Sequence, residues 1–393
     1  MALKKISITA LIILAITVGF MVYDFYTRNL TGIGPAISRP PDDISKLLGN
    51  QTDFPLHLPD GFGIEVLASG LKGARDLEMY GRWIAVSQPD LGFVTLVSPT
   101  SESIQEGAFH NLENPHGIAI DPNDRRVLWV ATEKEVLRFE DFRMEKGEHI
   151  ADIPAGGRHR TRSLAFAPNG DLLLSVGSTC DVCQEKNPIH GSVQKVNIET
   201  GELEPFATGL RNSVFITFDD KGRLWGTEMG RDLLGDDLPP DEINLIEEGK
   251  FYGWPTCYGK NIHDTVFDPN TYIRNPCMEP FETPSFVDLQ AHSAPLGLDF
   301  IPKTDAWPKD WQGDLIVAYH GSWNRAEPTG YKLVRIDFDE DGTYLGTEDF
   351  ITGWLTDDGA LGRPVDILVL DDGVMYVSDD KAGVIYRVTY TEK

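Results

Sequence analysis

The chain has 393 residues, and its 61 acidic and 35 basic side chains give a formal net charge of −26 at pH 7. A protein with this much negative charge repels other polyanions, which argues against nucleic acid as a partner. A length of 393 residues allows two or three domains, yet all-β rings commonly run this long as one domain. The 38 glycines and an aromatic content of 10% supply the turns and the flat side chains that such a ring needs.

The first residues of the chain form a separate segment. Ile6–Tyr23 is uncharged and strongly apolar, and Lys4 and Lys5 precede it. Such a span is about long enough to cross the bilayer as a helix, and the lysines favour a cytoplasmic N terminus. We therefore expect residues 1–24 to be a single-pass anchor in the cell membrane. A cleaved signal peptide, which would leave a secreted or periplasmic protein, is the alternative.

The composition changes after this apolar segment. Residues 25–55 contain the stretch "GIGPAISRPPDD", whose prolines and glycines are typical of a tether. We predict a linker here, followed by one domain over residues 56–393 on the extracytoplasmic side of the membrane.

Six segments of that domain repeat one pattern, in which an apolar strand, a turn and two further strands follow one another. Where no insertion falls, the repeats lie roughly 45 residues apart, which is typical of a β-propeller whose repeats are its blades. The sequence therefore predicts an all-β, six-bladed propeller. Its repeats begin at Arg75, His116, Arg162, Ser213, Leu296 and Val365.

The pattern inside each repeat indicates strands rather than helices. In "GIAIDP" and "LAFAPNG" apolar and small residues alternate up to a turn, and "PNG", "DDKG" and "DDG" tolerate the positive φ of tight hairpins. A short strand-like segment, "GFGIEVLA" from Gly61, precedes the first repeat. We expect it to complete the last blade beside Val384–Tyr390, so that the two ends of the domain close the ring.

Four cysteines in a chain predicted to be exported point to disulfides. Cys180 and Cys183 form a CxxC pair, while Cys257 and Cys277 bracket an insertion after "YGWP". The default expectation is that each cysteine pairs with its neighbour in sequence. A four-cysteine metal site is less favoured because the second pair lacks close spacing, and a redox CxxC would need a βαβ context that is absent.

Several motifs resemble one family. They are "GGRHRTRSLAFAPNGDLLLSVGSTCDVC", "DEINLIEEGKFYGWP", "AYHGSWNR" and "GRPVDILVLDDGVMYVSDD". The chain resembles, over most of residues 60–390, the soluble glucose and sorbosone dehydrogenases that use pyrroloquinoline quinone (PQQ). The resemblance implies a six-bladed, Ca²⁺-dependent oxidoreductase that transfers a hydride from an aldose-type sugar, or a related alcohol or aldehyde, to PQQ. An external electron acceptor, a cytochrome or a quinone, is then needed.

The resemblance also assigns roles to residues. His159 matches the general base that removes the proton from the sugar hydroxyl, and Arg211 matches the guanidinium that stabilises charge on the quinone oxygen. Four further residues match or replace contacts to PQQ: Asn212, Arg363, and, where the family has a lysine, His320 or Arg325.

Metal ligands are implied in the same way. The carbonyl groups of Gly230 and Arg231 match two ligands of the catalytic Ca²⁺. The family has proline where this chain has Arg231, and Asp232 beside it offers a carboxylate instead. Glu242 and Tyr252 match the acid and the carbonyl group of a second, structural Ca²⁺ in some members of the family.

Two other classes of function stay open at the level of sequence. A Ca²⁺-dependent lactonase or hydrolase on the same fold would gather several acids, such as Glu228, Asp232 and Asp241, around one axial metal. A non-catalytic binding propeller would have kept the scaffold and lost the cofactor. The fold alone does not separate these classes.

Overall fold

The computed structural model describes residues 14–23, 47–100, 103–280 and 282–392. Residues 14–23 form a helix with exposed side chains. Within the described ranges, no helix is both long and apolar enough to span a bilayer. Residues 1–13 and 24 of the predicted anchor and 25–46 of the predicted linker lie outside these ranges, so both segments remain predictions.

From residue 62 onward the structure is a ring of six four-stranded antiparallel sheets, so the predicted six-bladed propeller is confirmed. Blade 1 contains β2 (Leu77–Tyr80), β3 (Trp83–Gln88), β4 (Phe93–Val97) and β5 (Ile104–Phe109). Blade 2 contains β6 (Gly117–Ile120), β7 (Leu128–Ala131), β8 (Glu135–Phe139) and β9 (Glu148–Asp152). Blade 3 contains β10 (Arg162–Phe166), β11 (Leu172–Val176), β12 (Ser192–Val196) and β13 (Leu203–Thr208).

The remaining blades carry the insertions. Blade 4 contains β14 (Ile216–Phe218), β15 (Leu224–Glu228), β16 (Asp241–Ile246) and β19 (Val287–Leu289), with the hairpin β17 (Cys257–Tyr258) and β18 (Ile262–His263) in between. Blade 5 contains β20 (Pro295–Phe300), β21 (Leu315–Tyr319), β22 (Lys332–Phe338) and β23 (Tyr344–Ile351), and the hairpin β24 (Leu355–Thr356) and β25 (Gly359–Ala360) follows it. Blade 6 contains β26 (Pro364–Val369), β27 (Val374–Asp379), β28 (Val384–Tyr390) and β1 (Phe62–Ser69). Short 3₁₀ helices span Pro89–Leu91 and Lys309–Trp311.

The first strand of the ring pairs with the last. β1 runs antiparallel to β28, with Phe62 opposite Tyr390 and Ser69 opposite Val384. The predicted closure of the ring by the two ends of the domain is therefore confirmed. Residues 47–56 continue this contact, because the bridge between Asn50 and Ile64 holds them against β1.

Apolar side chains fill the space between each pair of neighbouring blades. The described core divides into six clusters, and each cluster joins two adjacent blades. Trp225 of blade 4, for example, packs in one cluster with Leu315 and Val334 of blade 5. Every blade therefore buries both of its faces, and the core is continuous around the ring.

Polar contacts also cross every blade junction near the axis. At each junction a buried side chain from one blade hydrogen-bonds the main chain at the first strand of the next. The pairs, in order from the junction of blades 6 and 1, are Asp366 Oδ2 with Leu77 N (2.8 Å), Asp76 Oδ2 with Ile118 N (2.9 Å), His116 Nδ1 with Arg162 O (2.8 Å), Ser175 Oγ with Ser213 O (2.5 Å), Asp241 Oδ2 with Ala294 N (2.9 Å) and Asp299 Oδ2 with Val369 N (2.8 Å). These bonds satisfy main-chain groups that the narrow inner strands leave unpaired.

Two kinds of loop meet at one rim of the ring. Consecutive strands of a blade are antiparallel, so the loop before the first strand and the loop between the second and third strands lie at the same end. In blade 3 these loops touch, since His159 N donates to Ser178 O (3.2 Å). Arg211 and Arg363 also stand shortly before the first strands of their blades. His159, Arg211 and Arg363, to which the resemblance assigns roles, thus lie at the same rim of the ring.

Both predicted disulfides are confirmed. Cys180 bonds Cys183 with a Cα–Cα distance of 6.2 Å, and Cys257 bonds Cys277 at 5.7 Å. The cysteines are therefore not available for a four-cysteine metal site.

Truncating Ile64 tests the closing strand. Ile64 of β1 is only 2% exposed, so Ile64→Ala leaves a cavity between blades 5 and 6 and should lower the free energy of unfolding by about 2–5 kcal/mol. Val66 on the same strand is 39% exposed, and Val66→Ala should change it by less than about 0.5 kcal/mol. Urea unfolding measures both values. Equal effects of the two substitutions would contradict a closing role for the buried face of β1.

Candidate active site

A cavity of about 230 Å³ opens at the rim described above, among the loops of blades 3, 4 and 5. It contains two basic groups, two acids, two imidazoles and one indole ring, so it is a polar site with a flat apolar wall. Its lining residues are Arg158, His159, Arg211, Asn212, Met229, Gly230, Asp232, Asp241, His292, Ala294, Trp323 and Asn324. Five residues predicted from the resemblance therefore lie together.

The imidazole of His159 is held by the loop that follows β11. His159 Nδ1 lies 2.8 Å from Ser178 Oγ, and Ser178 Oγ donates to the carbonyl oxygen of Cys180 at 2.8 Å. Burial lowers the pKa of His159 to about 3, and the positive charges of Arg211 and Arg158 act in the same direction. His159 is therefore neutral at neutral pH, which is the state a general base requires.

Arg211 is almost fully buried, with 4% of its side chain exposed. Its Nε donates to Asp181 O (2.8 Å), one terminal nitrogen donates to Asp181 Oδ1 (2.7 Å), and the other donates to Met229 O (3.1 Å). These bonds use three of the five guanidinium hydrogens. The terminal nitrogen that donates to Asp181 also lies 3.7 Å from Asp232 Oδ2, so Arg211 pairs with two acids.

Asn212 and Gly177 shape the floor of the cavity. Asn212 is 6% exposed, and its Oδ1 is buried without a hydrogen-bond partner among the described residues. A Cβ on Gly177 would lie 2.7 Å from His159 Cβ and 2.8 Å from Asn212 Oδ1. Only glycine therefore permits the close approach of these two side chains.

The loop after β15 brings a buried acid into the cavity. Asp232 accepts hydrogen bonds from Arg158 (2.5 Å, at Oδ2) and Asn324 (3.1 Å, at Oδ1). In the part of the chain that the structure describes, no donor hydrogen-bonds the carbonyl oxygens of Gly230 or Arg231. Of the two, Gly230 lines the cavity, whereas a cation at Asp232 would compete with Arg158.

A second group of acids lies beside the cavity. Arg231 turns its side chain toward Asp264 (2.8 Å), and it does not line the 230 Å³ cavity. Behind it Glu242 accepts from Gly259 N (2.6 Å). Burial raises the pKa of Glu242 to about 7 and that of Glu282 to about 9, and in Glu282 the charge of Glu242 contributes to the shift.

Glu282 is the residue here that the sequence did not reveal. It is 3% exposed, and both of its carboxylate oxygens lack a hydrogen-bond partner in the described chain. A Cβ on Gly253, the residue after Tyr252, would lie 2.6 Å from Glu282 Oε1. Glu282 therefore packs against the backbone next to Tyr252, and its charge interacts with that of Glu242. Glu282 lies far from the other two in sequence, and no motif marks it.

The remaining predicted contacts to PQQ do not line the 230 Å³ cavity. Arg363 donates to His320 O (3.0 Å) and to Gly321 O (2.6 Å), and His320 Nε2 lies 3.0 Å from Asp380 Oδ1. Arg325 contacts the loop at residues 236–237. His320 and Arg325 stand at the two ends of the segment "HGSWNR". The residues of this segment that line the cavity are Trp323 and Asn324.

Solved structures share this fold. The holo form of the pyranose dehydrogenase PQQ domain from Coprinopsis cinerea superposes with a TM-score of 0.71 and 19% identity, covering 87% of this chain and 98% of that one. The calcium structure of the Trichoderma reesei family AA12 enzyme gives 0.71 and 20%, covering 87% and 98%. The PQQ-bound aldose sugar dehydrogenase of Streptomyces coelicolor gives 0.62 and 17%, covering 85% and 100%. At these identities the likeness shows the fold.

Sequence comparison decides the family. Residues 56–391 match the TrAA12-like family. The chain belongs to the TrAA12-like family. The resemblance to PQQ-dependent sugar dehydrogenases inferred from the motifs is thereby confirmed, because the named relatives and structural neighbours in this group include such enzymes.

Curated relatives match part of the chain. An uncharacterized protein of Borreliella burgdorferi is 37% identical over 228 residues, which are 56% of this chain and 58% of the relative. The PQQ-dependent pyranose dehydrogenase of Coprinopsis cinerea is 27% identical over 234 residues, which are 46% of this chain and 30% of the relative. The matched region thus spans little more than half of the first relative and under a third of the second.

The protonation state of His159 is directly testable in the protein without ligands. Because burial and two guanidinium groups lower its pKa to about 3, the imidazole should stay neutral throughout the range from pH 8 to pH 5. The Hε1 chemical shift of His159, assigned with His159→Gln, should be constant over this range. The same signal in the urea-unfolded protein should titrate near 6.5. A titration near 6.5 in the folded protein would contradict the electrostatics described above.

Proposed function

We propose that the chain is a PQQ-dependent oxidoreductase that oxidises an aldose-type sugar or a related alcohol or aldehyde. The observation that carries this proposal is the pairing of neutral His159 with buried Arg211 in one rim cavity. Membership of the TrAA12-like family and the named activities of its relatives support it.

The cavity fits a flat anionic molecule. The guanidinium carbon of Arg158 lies 5.9 Å from the ring centre of Trp323, so a cation and an indole face stand side by side at the opening. Arg158 is the exposed member of its ion pair with Asp232, with 45% of its side chain accessible. At the floor, Asn212 has unused hydrogen-bonding capacity. PQQ, when bound, supplies the carbonyl carbon that accepts a hydride.

Residues of the cavity and of the loop after β15 have separate roles in the proposed reaction. His159 takes the proton of the substrate hydroxyl at its free ring nitrogen, because the other nitrogen is engaged by Ser178. Arg211, whose side chain is 4% exposed and lines the cavity, stabilises negative charge that develops there. The carbonyl oxygens of Gly230 and Arg231, which accept no hydrogen bond within the described chain, would hold Ca²⁺, and the ion would supply Lewis-acid chemistry.

Reconstitution tests this function. The protein, incubated with PQQ and Ca²⁺, should reduce an artificial electron acceptor when an aldose is supplied. His159→Ala should lower kcat by about 10²–10⁴-fold, because the general base is lost, and should leave the Kd for PQQ within about twofold. Fluorescence quenching or absorbance titration measures the Kd, and steady-state kinetics measure kcat.

The matched control is His149→Ala, an exposed histidine of β9 that lies away from the cavity. It should retain the rate of the unmodified protein. Binding of PQQ without any sugar oxidation would favour a binding propeller, and failure to bind PQQ in the presence of Ca²⁺ would overturn the proposal.

We also propose a second Ca²⁺ site, formed by Glu242, the carbonyl group of Tyr252 and the additional acid Glu282. Two buried acids with raised pKa values are costly without a counter-charge, and a divalent cation removes that cost. Its role would be structural, since none of these three residues lines the 230 Å³ cavity.

Removing one acid tests this structural site. Calcium at about 100 times its Kd should stabilise the unmodified protein by about 2.7 kcal/mol. In Glu282→Gln most of the Ca²⁺-dependent rise in Tm should vanish, while in EDTA the variant should be at least as stable as the unmodified protein, because it lacks an unpartnered buried acid. Glu279→Gln, an exposed acid nearby, should keep the full rise. A full rise in Glu282→Gln would exclude Glu282 as a ligand.

The hydrolase alternative is disfavoured by what its acids contact. Glu228 accepts from Asn212 N and from the hydroxyl of Ser213 (both 2.5 Å). Asp241 accepts from Gly230 N and Ala294 N, and Asp232 is paired with Arg158. These three carboxylates thus bind different partners. Among the described residues they do not form a group close enough to share one metal ion.

Location and electron transfer are further parts of the proposal. Two disulfides are typical of proteins in an oxidising compartment, which supports an extracytoplasmic propeller. Residues 6–23 would anchor it to the cell membrane, or, in the alternative, be removed to release it. The oxidised acceptor that regenerates the enzyme is an external cytochrome or a quinone.

A further inference from the structure

One small loop contacts both of the side chains to which the proposed function gives catalytic roles. This loop, Ser178–Cys183, follows β11 and is closed by the first disulfide. We refer to it as the disulfide loop. Ser178 contacts His159, and Asp181 contacts Arg211.

The contact at Ser178 fixes the position of a proton. The single hydroxyl hydrogen of Ser178 is donated to the carbonyl oxygen of Cys180 (2.8 Å), because a carbonyl group only accepts. Ser178 Oγ therefore acts as an acceptor toward His159 Nδ1, which lies 2.8 Å away. In neutral His159 the hydrogen must then reside on Nδ1, and Nε2 keeps the lone pair.

The contact at Asp181 fixes a guanidinium group. Asp181 accepts from Arg211 twice, once at its carbonyl oxygen (2.8 Å) and once at Oδ1 (2.7 Å), which sets both the position and the plane of the group. The same Oδ1 accepts from Asp232 N (2.9 Å). One side chain of the disulfide loop thus orients Arg211 and holds the loop that carries Gly230.

The disulfide restrains the groups that make these contacts. Cys180 supplies the carbonyl oxygen that orients Ser178, and Asp181 lies between the two cysteines. A bond across four residues leaves this backbone few alternative conformations, whereas an open CxxC segment would sample many. The main chain on the other side is tied as well, because Thr179 O accepts from Arg158 N (2.9 Å).

We propose that the disulfide loop is a positioning device, in which Ser178 sets the tautomer of His159 and Asp181 sets the orientation of Arg211. This inference rests on the proposed function for its catalytic meaning. Its structural content, a proton on Nδ1 and a free Nε2, is independent of any bound group. Ser178 and Asp181 are positioning residues, because each acts through another side chain.

Nitrogen NMR on the protein without PQQ tests the tautomer. With ¹⁵N-labelled histidine, the long-range ¹H–¹⁵N spectrum distinguishes protonated from unprotonated ring nitrogens, and His159→Gln assigns the signal. At pH 7 we expect His159 to be protonated at Nδ1. Protonation at Nε2 in the unmodified protein would overturn the inference at once, whether or not any variant folds.

Substitutions at Ser178 test the cause. Ser178→Ala should shift His159 toward the Nε2–H tautomer, whereas Ser178→Thr, which keeps the hydroxyl, should retain Nδ1–H. The signals of His190, whose Nδ1 contacts Gly177 O at 3.2 Å, serve as an internal reference. An unchanged Nδ1–H tautomer in Ser178→Ala would remove Ser178 from its assigned role.

The two disulfides offer a matched comparison. Opening the loop with Cys180→Ser and Cys183→Ser together should give His159 ¹⁵N shifts between those of the two tautomers, as expected for a mixture. Opening the other disulfide with Cys257→Ser and Cys277→Ser should leave the tautomer of His159 unchanged. The same result from both pairs would show a global effect and contradict the inference.

Kinetics then separate this inference from the proposed function. In the reconstituted enzyme, Ser178→Ala should lower kcat by about 10–100-fold with KM within about twofold, and Ser178→Thr should restore most of the rate. If the unmodified protein shows the expected tautomer but oxidises no sugar, the proposed function fails and the positioning role stands. If it is active while Ser178→Ala reacts at the same rate, the positioning role fails and the function stands.

Discussion

The pairing of β1 with β28 is the constraint on which the rest of the structure depends. Each blade has two faces to bury, and only a closed ring gives every blade two neighbours. Because β1 comes from the start of the domain and β28 from its end, this one sheet edge locks all six blades into a fixed arrangement. The rim cavity inherits that rigidity, since its lining comes from loops on three blades. A shift of one blade would separate His159 from Arg211.

The architecture could be predicted from the sequence because its signals are local. Alternating apolar residues and Asn, Asp or Gly turns define each strand pair without knowledge of any distant contact. Ring closure could be predicted because the short strand-like segment at Gly61 lies outside the six repeats. It therefore needed a partner strand, and the last repeat offered one. The disulfides were predicted for the same reason, as each joins cysteines that are neighbours in sequence.

Only part of the site could be predicted from the sequence, because contacts between loops leave no pattern in it. The motifs placed His159, Arg211, Asn212, Gly230 and Asp232, and the structure brings all five to one cavity.

The partners of those residues lie on other loops, and loop-to-loop contacts leave no periodic signal. Arg211 is held by Asp181, Glu282 stands beside Tyr252, and Arg363 uses its donors on nearby carbonyl groups. Each depends on how two loops meet at the rim, which no single segment encodes.

The buried acids at the blade junctions alter how the whole molecule binds hydrogen ions. Burial raises the pKa of Asp241, Asp299 and Asp366 to about 7. In the unfolded chain the same groups release their protons near pH 4. Folding therefore takes up protons, and near neutrality the ring is less negative than the −26 counted from its composition. The stabilisation from this uptake is complete below about pH 4 and is lost as the pH rises through about 7, so these acids stabilise the ring more in acidic than in neutral surroundings.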